Sequence, residues 1–330
     1  MVNEHIAHLE RMNYGHIKLY AGSASLDLAT EIASILGIPL CERDVVIFPN
    51  DNIFVRLHTS VRGQDCYVIQ TTAAPVQQNL MELLILIRTL RQDSAARITA
   101  VVPYMCYSRS DKKDQPRVAI TARLVADLIE MAGADRYIVY DLHSKQIQGF
   151  FSIPGDVMTA FYTLSDYLKG ICSRMQSPVI VATDLGFSKN ARSYGMALNA
   201  PLAFIEKRRI YDTNTQALTL IGDVKNRDAI IVDDEVDTGG SICEAVNLVK
   251  EKGARNVYVV FVHPVLSLDA SERLAGLPVT EFITTNTIPI PPEKLALFGS
   301  RLHILSIAPL LSEVITRANE GRSVGELFNE

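Results

Sequence analysis

The sequence lacks any hydrophobic run long enough to cross a membrane, since its apolar stretches, such as Leu83 to Ile87, fall far short of about 20 residues. Its first residues, MVNEHIAHLERM, have no apolar core, so we expect no signal peptide there. A basic excess is also lacking, because the formal net charge is −5 and the isoelectric point is near 5.8. A general nucleic-acid binder needs a basic face for the phosphate backbone, so the charge argues against that function.

Cysteines are few and form no metal-binding pattern. The five are Cys41, Cys66, Cys106, Cys172 and Cys243, an odd number without the spacing of a metal site. We interpret them as buried thiols in a reducing compartment, and we expect a cytoplasmic globular protein.

The sequence does contain a regular alternation of short β-branched segments and longer helical patterns. The 330 residues, 48% of them apolar, suffice for one large domain or two ordinary ones. A 3.6-residue periodicity predicts helices at Asn79–Arg91, Ile120–Met131 and Ser241–Lys252. The predicted strands are Ile17–Tyr20, Val45–Phe48, Ile53–Leu57, Tyr67–Gln70, Ile98–Pro103, Tyr137–Asp141, Val179–Thr183, Ala203–Lys207, Ala229–Asp233, Val257–His263, Phe282–Thr285 and His303–Leu305. This order predicts an α/β protein with mostly parallel sheets flanked by helices.

The two halves of the sequence resemble each other. LGIPL at residues 36–40 recurs as LNAPL at residues 198–202, an offset of 162. The strand that ends at Gln70 matches the one that ends at Asp233, an offset of 163, and a third strand pair is offset by 159. Any two proteins built of strand–helix–strand units look alike at this level, but three ordered anchors favour a tandem duplication.

The most informative segment is AIIVDDEVDTGGS, residues 229–241, which a predicted helix follows. Its apolar part predicts a buried strand that delivers two aspartates at its carboxyl end, where open α/β sheets place their ligands. Two glycines then let backbone amides approach an anion, and the helix start adds partial positive charge. A threonine and a serine add hydroxyl donors.

A plainer explanation is an acidic N-cap followed by a Gly-Gly turn. That would explain one aspartate and Ser241, but not three carboxylates, two glycines and two hydroxyls on one loop. The sequence has no P-loop lysine motif, which argues against a Walker-type kinase. The pattern therefore favours a sugar-phosphate site, where Asp233 and Asp234 accept bonds from sugar hydroxyls or hold a divalent cation through water.

This loop resembles the signature of the type I phosphoribosyltransferase fold, and further motifs extend the resemblance over nearly the whole chain. They are SVRG at 60–63, RSDKK at 109–113, DLH at 141–143 with QIQGFF at 146–151, KRR at 207–209 and HPVL at 263–266. In this order they are similar to landmarks of the ribose-phosphate pyrophosphokinase (PRPP synthetase) family. Members transfer the diphosphoryl group of ATP to ribose 5-phosphate, forming 5-phosphoribosyl 1-diphosphate (PRPP) and AMP. The resemblance implies two tandem phosphoribosyltransferase-like domains and this Mg²⁺-dependent reaction.

The resemblance also implies roles for single residues. Those implied for ribose 5-phosphate binding are Arg209, Asp233, Asp234, Asp237, Thr238, Gly239, Gly240 and Ser241. Lys207 and Arg209 would be the catalytic cations, and strand alternation places them on one face with Arg208 opposite. A solvated basic strand end is the alternative. His143 and Asp184 would contribute to the Mg²⁺ site, with few direct protein ligands because this ion usually keeps several waters.

The nucleotide side is implied for the first half. Its residues would be Phe48, Asn50, Asp51, Asn52, Arg109 and Ser110. The stretch RSDKKDQPR at 109–117 would close over the reactants as a mobile flap, although alone it is typical of a solvated surface loop.

Three departures from the family pattern bear on the nucleotide site. The adenine-binding turn, which usually carries acids on both sides of its centre, has Asn50 and Asn52. A glutamine that usually follows the first flap arginine is Ser110, and the second glycine of a Pro-Asp-x-Gly-Gly turn is Phe187. These changes could alter nucleotide preference, and Phe187 would block or reshape access to a backbone amide.

The resemblance assigns residues 1–160 to an N-terminal domain with the nucleotide side and the flexible loop, and residues 161–330 to a C-terminal domain with the ribose 5-phosphate loop. The last helix could pack back on the first domain. The first-half counterpart of the loop, residues 70–76, has no acid and no glycine, so only the second half is expected to bind the sugar phosphate. The family implies a homo-oligomer, typically a hexamer, with no nucleic-acid or membrane partner.

Two alternatives remain. One is a non-catalytic or nucleotide-altered regulatory paralogue, which the substitutions at Asn50, Asn52, Ser110 and Phe187 favour. The other is a phosphoribosyltransferase that consumes PRPP, which the second half alone resembles. Release of AMP from ATP and ribose 5-phosphate separates the three.

Overall fold

The computed structural model describes residues 14–184, 186–209 and 216–328, while the side chains of residues 207–209 and 216–217 lie outside the description. These residues form two compact units. The first consists of residues 14–158 and 306–328, and the second lies within residues 159–305. In the described part of the chain, no helix is both long and apolar enough to span a membrane.

The first unit contains a five-stranded parallel sheet in the order β1-β4-β5-β6-β7 and a hairpin of β2 and β3. Its strands are β1 (Ile17–Ala21), β2 (Arg43–Ile47), β3 (Ile53–Leu57), β4 (Asp65–Ile69), β5 (Arg97–Val102), β6 (Arg136–Tyr140) and β7 (Gly155–Met158). Its helices are α1 (Leu26–Leu36), α2 (Val76–Gln92), α3 (Thr121–Ala132) and α9 (Ala308–Glu320).

The core of this unit follows from the hydrophobic patterns. Strands β4 and β5 are buried at every position, because helices cover both faces of a parallel sheet. On α2, the fully buried Leu83, Leu86, Ile87 and Leu90 recur every three or four residues and pack in one cluster with β4 and β5. The periodicity that predicts this helix therefore marks the face that it buries.

Helix α9 joins the first unit through a buried polar network at the amino-terminal edge of the sheet. Arg97 binds Asp65 through Nε–Oδ1 at 2.8 Å and Nη2–Oδ2 at 2.6 Å. The same Nη2 donates to the carbonyl of Ala318 at 2.9 Å, and Asn319 Nδ2 donates to Asp65 Oδ2 at 2.9 Å. A buried ion pair is tolerated when its remaining polar atoms are bonded, as they are here.

The second unit contains a seven-stranded sheet in the order β10-β9-β8-β11-β12-β13-β14, parallel except for the β9–β10 pair. Its strands are β8 (Val179–Ala182), β9 (Leu202–Arg209), β10 (Gln216–Ile221), β11 (Ala229–Val236), β12 (Val257–Pro264), β13 (Glu281–Thr285) and β14 (Leu302–Leu305). Its helices are α4 (Phe161–Cys172), α5 (Ser188–Leu198), α6 (Gly240–Glu251), α7 (Ala270–Ala275) and α8 (Pro292–Phe298).

The two units repeat one order of elements. In the first unit, β1 and α1 are followed by Leu40, which pairs in parallel with β1, and then by the antiparallel β2–β3 hairpin. In the second unit, β8 and α5 are followed by β9, which pairs in parallel with β8 and forms an antiparallel hairpin with β10. An ion pair also recurs: Arg255 Nε binds Asp228 Oδ1 at 3.0 Å just before β11 and β12, as Arg97 binds Asp65 at the start of β5 and β4. The predicted fold class, two tandem α/β domains with mostly parallel sheets, is confirmed.

Candidate active site

The glycine-containing loop at residues 237–241, called the phosphate loop below, connects β11 to α6. Gly239 lies directly before α6 with a φ of +75°, a left-handed conformation that only glycine adopts without strain. A Cβ atom added at Gly240 would meet nothing nearer than Thr238 Oγ1 at 4.0 Å. The space beside Gly240 is therefore open, so another molecule can come close to the backbone there.

Three successive backbone carbonyls at the end of β11 and in the phosphate loop accept hydrogen bonds from the segment at residues 266–273. The carbonyl of Val236 accepts a hydrogen bond from the amide of Leu266 at 2.8 Å, and that of Asp237 accepts one from Ser267 at 3.0 Å. The carbonyl of Thr238 accepts a bond from Arg273 Nη2 at 2.7 Å. In a planar trans peptide the amide points opposite to the carbonyl, so the amides of Asp237, Thr238 and Gly239 point away from this segment.

Two of those amides, Thr238 and Gly239, are available to a ligand together with that of Gly240 at the helix start. The amides of Thr238, Gly239 and Gly240 donate to no oxygen within residues 14–184, 186–209 and 216–328. The first hydrogen bond of α6 is accepted by the residue just before the helix, since Gly239 O accepts from Cys243 N at 2.9 Å. Parallel amides at a helix start attract anions through their own dipoles and through the helix dipole.

Two carboxylates, those of Asp233 and Asp234, lie in the last four residues of β11, shortly before this loop. Asp233 is half-buried; its Oδ2 accepts from Thr183 Oγ1 at 2.9 Å and its Oδ1 accepts from the amide of Asp234 at 3.0 Å. Asp234 Oδ1 in turn accepts from the amide of Glu235 at 2.9 Å. Both side chains therefore lie at the carboxyl edge of the sheet, as the sequence predicts.

The environment of Asp233 opposes its ionisation. Burial raises the pKa of Asp233 well above its usual value, and the negative charges of Asp234 and Asp184 raise it further. The hydrogen bond from Thr183 acts in the opposite direction and is too weak to reverse the effect. A cation or a set of sugar hydroxyls placed here would relieve that repulsion.

Asp184 follows β8, the neighbour of β11 in the sheet, and its side chain is exposed. Its Oδ1 accepts a hydrogen bond from the amide of Phe187 at 3.0 Å. Phe187 has a φ of −83° at the start of α5, a conformation open to any residue. The phenylalanine therefore causes no backbone strain in this turn.

The two predicted catalytic cations lie on strand β9. Lys207 is paired with Leu218 and Arg209 with Gln216 in the antiparallel β9–β10 ladder, so β9 extends two residues beyond its predicted end. Their side chains lie outside the described part of the structure. Their assignment as catalytic residues stays a prediction.

In the first unit, four of the predicted nucleotide residues form the tip of the β2–β3 hairpin. The amide of Phe48 donates to Asn52 O at 2.9 Å, and the amide of Asp51 donates to Phe48 O at 2.9 Å. Asn50 Oδ1 accepts from the amide of Asn52 at 3.3 Å, and Asp51 has a φ of +62°. All four side chains are exposed, and the Phe48 ring lies 6.2 Å from that of Phe54.

The other predicted residues of the first unit follow β5 and β6. Arg109 is exposed, and Ser110 donates its amide to Tyr107 O at 2.9 Å in a turn. His143 is exposed three residues beyond β6, just after Asp141, which has a left-handed φ of +33°. These side chains therefore belong to the carboxyl edge of the first sheet, whereas Asp184 and the phosphate loop belong to the second unit.

The start of the first-unit counterpart of the phosphate loop, residues 70–72, is buried and bonded by the protein itself. Gln70, Thr71 and Thr72 are completely buried after β4. The amide of Thr71 donates to Ser25 Oγ at 2.8 Å, and that of Thr72 donates to Tyr104 O at 3.0 Å. The amides of Thr71 and Thr72 are thus bonded within the protein, in contrast to those of Thr238 and Gly239.

Two contacts of this site are not apparent from the sequence. Thr183 binds Asp233 although the residues are 50 positions apart, and Arg273 binds Thr238 across 35 positions. Thr183 carries one local signal, since it is a polar residue that ends a predicted apolar strand. In the part of the chain that is described, no three His, Cys, Asp or Glu side chains are grouped to hold a metal ion.

Comparison with known proteins gives consistent matches over almost the whole chain. The profile of the N-terminal domain of ribose phosphate pyrophosphokinase matches residues 17–133, and that of the phosphoribosyl synthetase-associated domain matches residues 207–329. The ribose-phosphate pyrophosphokinase of Deinococcus radiodurans is 41% identical, covering 94% of this chain and 97% of that protein. The enzyme of that name from Aquifex aeolicus is 42% identical, with coverage of 94% and 99%.

One solved structure extends the similarity to the fold. The crystal structure of phosphoribosylpyrophosphate synthetase from Mycobacterium smegmatis superposes with a TM-score of 0.88 at 43% sequence identity. The match covers 93% of this chain and 99% of the other.

Proposed function

The chain belongs to the ribose-phosphate pyrophosphokinase family, and we propose that it transfers the diphosphoryl group of ATP to ribose 5-phosphate with Mg²⁺, forming PRPP and AMP. The relatives support PRPP synthesis by their names and by their nearly full-length identity of 41% and 42%. The single structural observation behind the proposal is the phosphate loop: the amides of Thr238 and Gly239 point away from the carbonyl contacts, and like that of Gly240 they donate to no oxygen of the described residues. A phosphate monoester matches such a set of donors.

In this proposal the second unit holds the acceptor. The 5-phosphate lies on the amides of residues 237–241, with the hydroxyls of Thr238 and Ser241 as further donors. Asp233 and Asp234 lie near the carboxyl end of β11 and accept hydrogen bonds from the ribose hydroxyls. These contacts orient the anomeric hydroxyl and restrict its motion before transfer.

Lys207 and Arg209 are proposed to act on the charge that develops during transfer. Both belong to β9, two residues apart, and strand alternation places them on one face of it. Positive charges fixed beforehand stabilise a phosphoryl transition state more than they stabilise the bound substrates. Arg209 is also proposed to contact the acceptor.

The nucleotide is proposed to bind residues of the first unit. The exposed ring of Phe48 offers an apolar surface to a base, and Asn50 and Asn52 offer both donors and acceptors to its edge. Arg109 supplies positive charge to the phosphates and Ser110 a hydroxyl. Melting-temperature shifts with ATP, ADP and GTP measure whether the two asparagines change the preferred base.

His143 and Asp184 are proposed to hold Mg²⁺, with the remaining ligands from water and phosphate oxygens. The fit rests on Asp184, whose exposed carboxylate adds to the charge that raises the pKa of Asp233, so a cation there would be stabilised. A bound Mg²⁺ neutralises charge on the phosphate oxygens. This hard ion favours oxygen ligands and keeps several waters, which suits a site with few protein ligands.

The oligomeric state is also a proposal, a homohexamer. It is supported by exposed apolar side chains on the β2–β3 hairpin, where Val46, Ile47, Phe48 and Phe54 are 42–48% exposed. Light scattering is expected to give about six times 36.5 kDa. A monomer or dimer at all concentrations would contradict the hexamer.

The reaction is tested by incubating the protein with ATP, ribose 5-phosphate and Mg²⁺ and measuring AMP and PRPP. We expect equal amounts of the two products, and none when ribose 5-phosphate is omitted. Absence of AMP with several nucleotides and with added inorganic phosphate would refute the proposal and favour a regulatory paralogue. Consumption of PRPP with a free base would instead indicate a phosphoribosyltransferase.

Lys207→Ala is expected to lower kcat at least about a hundredfold, because its charge acts mainly on the transition state. The melting-temperature shift caused by ribose 5-phosphate should stay nearly unchanged. Arg208→Ala, the neighbouring position on the opposite strand face, is the matched control and should keep most of the activity. Equal activity of Lys207→Ala and wild type would remove Lys207 from the catalytic residues.

A further inference from the structure

We propose that Arg273 is a positioning residue that holds the phosphate loop in its anion-binding conformation and thereby sets the affinity for ribose 5-phosphate. The inference rests on the proposed function of that loop. Arg273 belongs to α7, a short helix that follows β12 and packs against the loop. Three groups donate hydrogen bonds to the carbonyls of residues 236–238. Arg273 is the side chain among them, and the other two donors are backbone amides.

The contact itself is well defined. Arg273 Nη2 donates to Thr238 O at 2.7 Å and to Asp269 Oδ1, one helical turn earlier, at 2.9 Å. The ion pair with Asp269 keeps the guanidinium pointed toward the loop. A charged donor on a carbonyl is stronger than a neutral one, so this bond is a real restraint on the Thr238 peptide.

That restraint acts where the loop is otherwise free to change. The peptide between Thr238 and Gly239 is followed by a glycine with a φ of +75°, and glycine permits many backbone conformations at little steric cost. Rotation of this peptide would turn its carbonyl toward the bound phosphate and its amide away. Arg273 opposes the rotation because it would lose its acceptor, so the loop stays in the orientation that binds an anion.

The charge of Arg273 also reaches the start of α6. It lowers the pKa of the Cys243 thiol in the first turn of α6, although burial of this thiol has the larger effect and raises its pKa overall. Because the positive charge of Arg273 acts on the first turn of α6, it also favours binding of a phosphate at that helix start.

The test is Arg273→Met, which keeps a long apolar stem and removes the charged donor. KM for ribose 5-phosphate should rise about tenfold or more, as loss of one charged hydrogen bond predicts. The kcat and the KM for ATP should change little, because the 5-phosphate takes no part in the reaction and contributes equally to ground-state and transition-state binding. Arg273→Lys should restore part of the affinity.

Arg227→Met is the matched control. Arg227 forms an ion pair with Asp223 at the same four-residue spacing, with 32% of its side chain exposed against 41% for Arg273. It belongs to the same unit but precedes β11, at the opposite edge of the sheet from the loop. Its KM values should equal those of the wild type.

Binding is measured separately from turnover, by the rise in melting temperature that ribose 5-phosphate causes. An unchanged KM and an unchanged rise in Arg273→Met would overturn the proposal, as would equal losses in both variants. If the wild type binds ribose 5-phosphate but makes no PRPP, the proposed reaction fails. A rise lost only in Arg273→Met would still support the role of Arg273.

Discussion

At the scale of single residues, Asp233 shows a conflict between stability and binding. Its carboxyl is half-buried among two other carboxylates, and the pKa is raised mainly by burial and then by Asp234. An aspartate with a raised folded-state pKa stabilises the fold at low pH, and this contribution is lost as the pH rises through that pKa. The site therefore keeps an ionisable group where the fold alone would favour a neutral one.

Asp233→Asn removes this conflict without changing the size of the side chain. Above neutral pH, the melting temperature of the variant should exceed that of the wild type by roughly 2–4 °C, the effect of about 1 kcal/mol on a domain of this size. The difference should shrink as the pH falls below about 3.9, because the wild-type carboxyl then becomes protonated in the unfolded state as well. Meanwhile KM for ribose 5-phosphate should rise. A variant less stable than wild type at pH 8 would contradict the account.

At the scale of elements, the β2–β3 hairpin has a titratable side chain at its base. His58 Nε2 lies 3.0 Å from Asp44 Oδ1, and its Nδ1 lies 3.5 Å from Glu42 Oε2. The hydrogen bond to Asp44 raises the pKa of His58, while the nearby Arg56 lowers it slightly. The protonated ring thus joins the two ends of the hairpin.

The hairpin should therefore be more firmly closed at low pH. A histidine with a raised folded-state pKa stabilises below about 6.5 and loses that effect as the pH rises through the folded value. In hydrogen exchange, hairpin amides should be better protected in wild type than in His58→Gln at pH 6. The difference should disappear at high pH, where both side chains are neutral. Equal protection at both pH values would show that the ring has no such role.

Strands with a clear apolar pattern are predicted well from the sequence, whereas strands that form mainly by pairing with a neighbouring strand are not. All twelve predicted strands are present, with ends within three residues of the predicted ones. The sequence does not predict strands β7 and β10: β7 begins with Gly155 and Asp156, which disfavour strands, and β10 is held by its antiparallel pairing with β9.

The candidate site divides in the same way. The aspartates and glycines of the phosphate loop could be predicted, because a strand end, small residues and a helix start are local features. Thr183 and Arg273 could not, since their contacts join segments that only the folded sheet brings together. The bonds that Ser25 and Tyr104 accept from Thr71 and Thr72 in the first-unit counterpart likewise depend on tertiary structure.

At the scale of the whole molecule, the repeated ion pair differs between the units in its surroundings. Arg97 is 7% exposed beneath α9, whereas 44% of the Arg255 side chain is exposed. Both carboxylate partners, Asp65 and Asp228, are fully buried. Removal of the arginine leaves a buried charge in each case, but water reaches the second site more easily.

Arg97→Met is expected to lower the free energy of unfolding by about 3–5 kcal/mol, the usual effect of breaking a buried pair. Arg255→Met, the equivalent change in the second unit, should cost clearly less. Urea unfolding of both variants, followed by hydrogen exchange of β4 and β11, measures the two losses. Similar losses of unfolding free energy in the two variants would mean that burial of Arg97 beneath α9 does not strengthen the ion pair.

The return of α9 to the first unit has a consequence for synthesis on the ribosome. Residues 159–305 are an insertion in the first unit, so its sheet leaves the exit tunnel long before the helix that binds Asp65 and Arg97. Until that helix has left the tunnel, Arg97 and Asp65 lack their bonds to Ala318 and Asn319, so the first unit is still incomplete when the second unit can fold. The amino-terminal half is thus synthesised first and completed last.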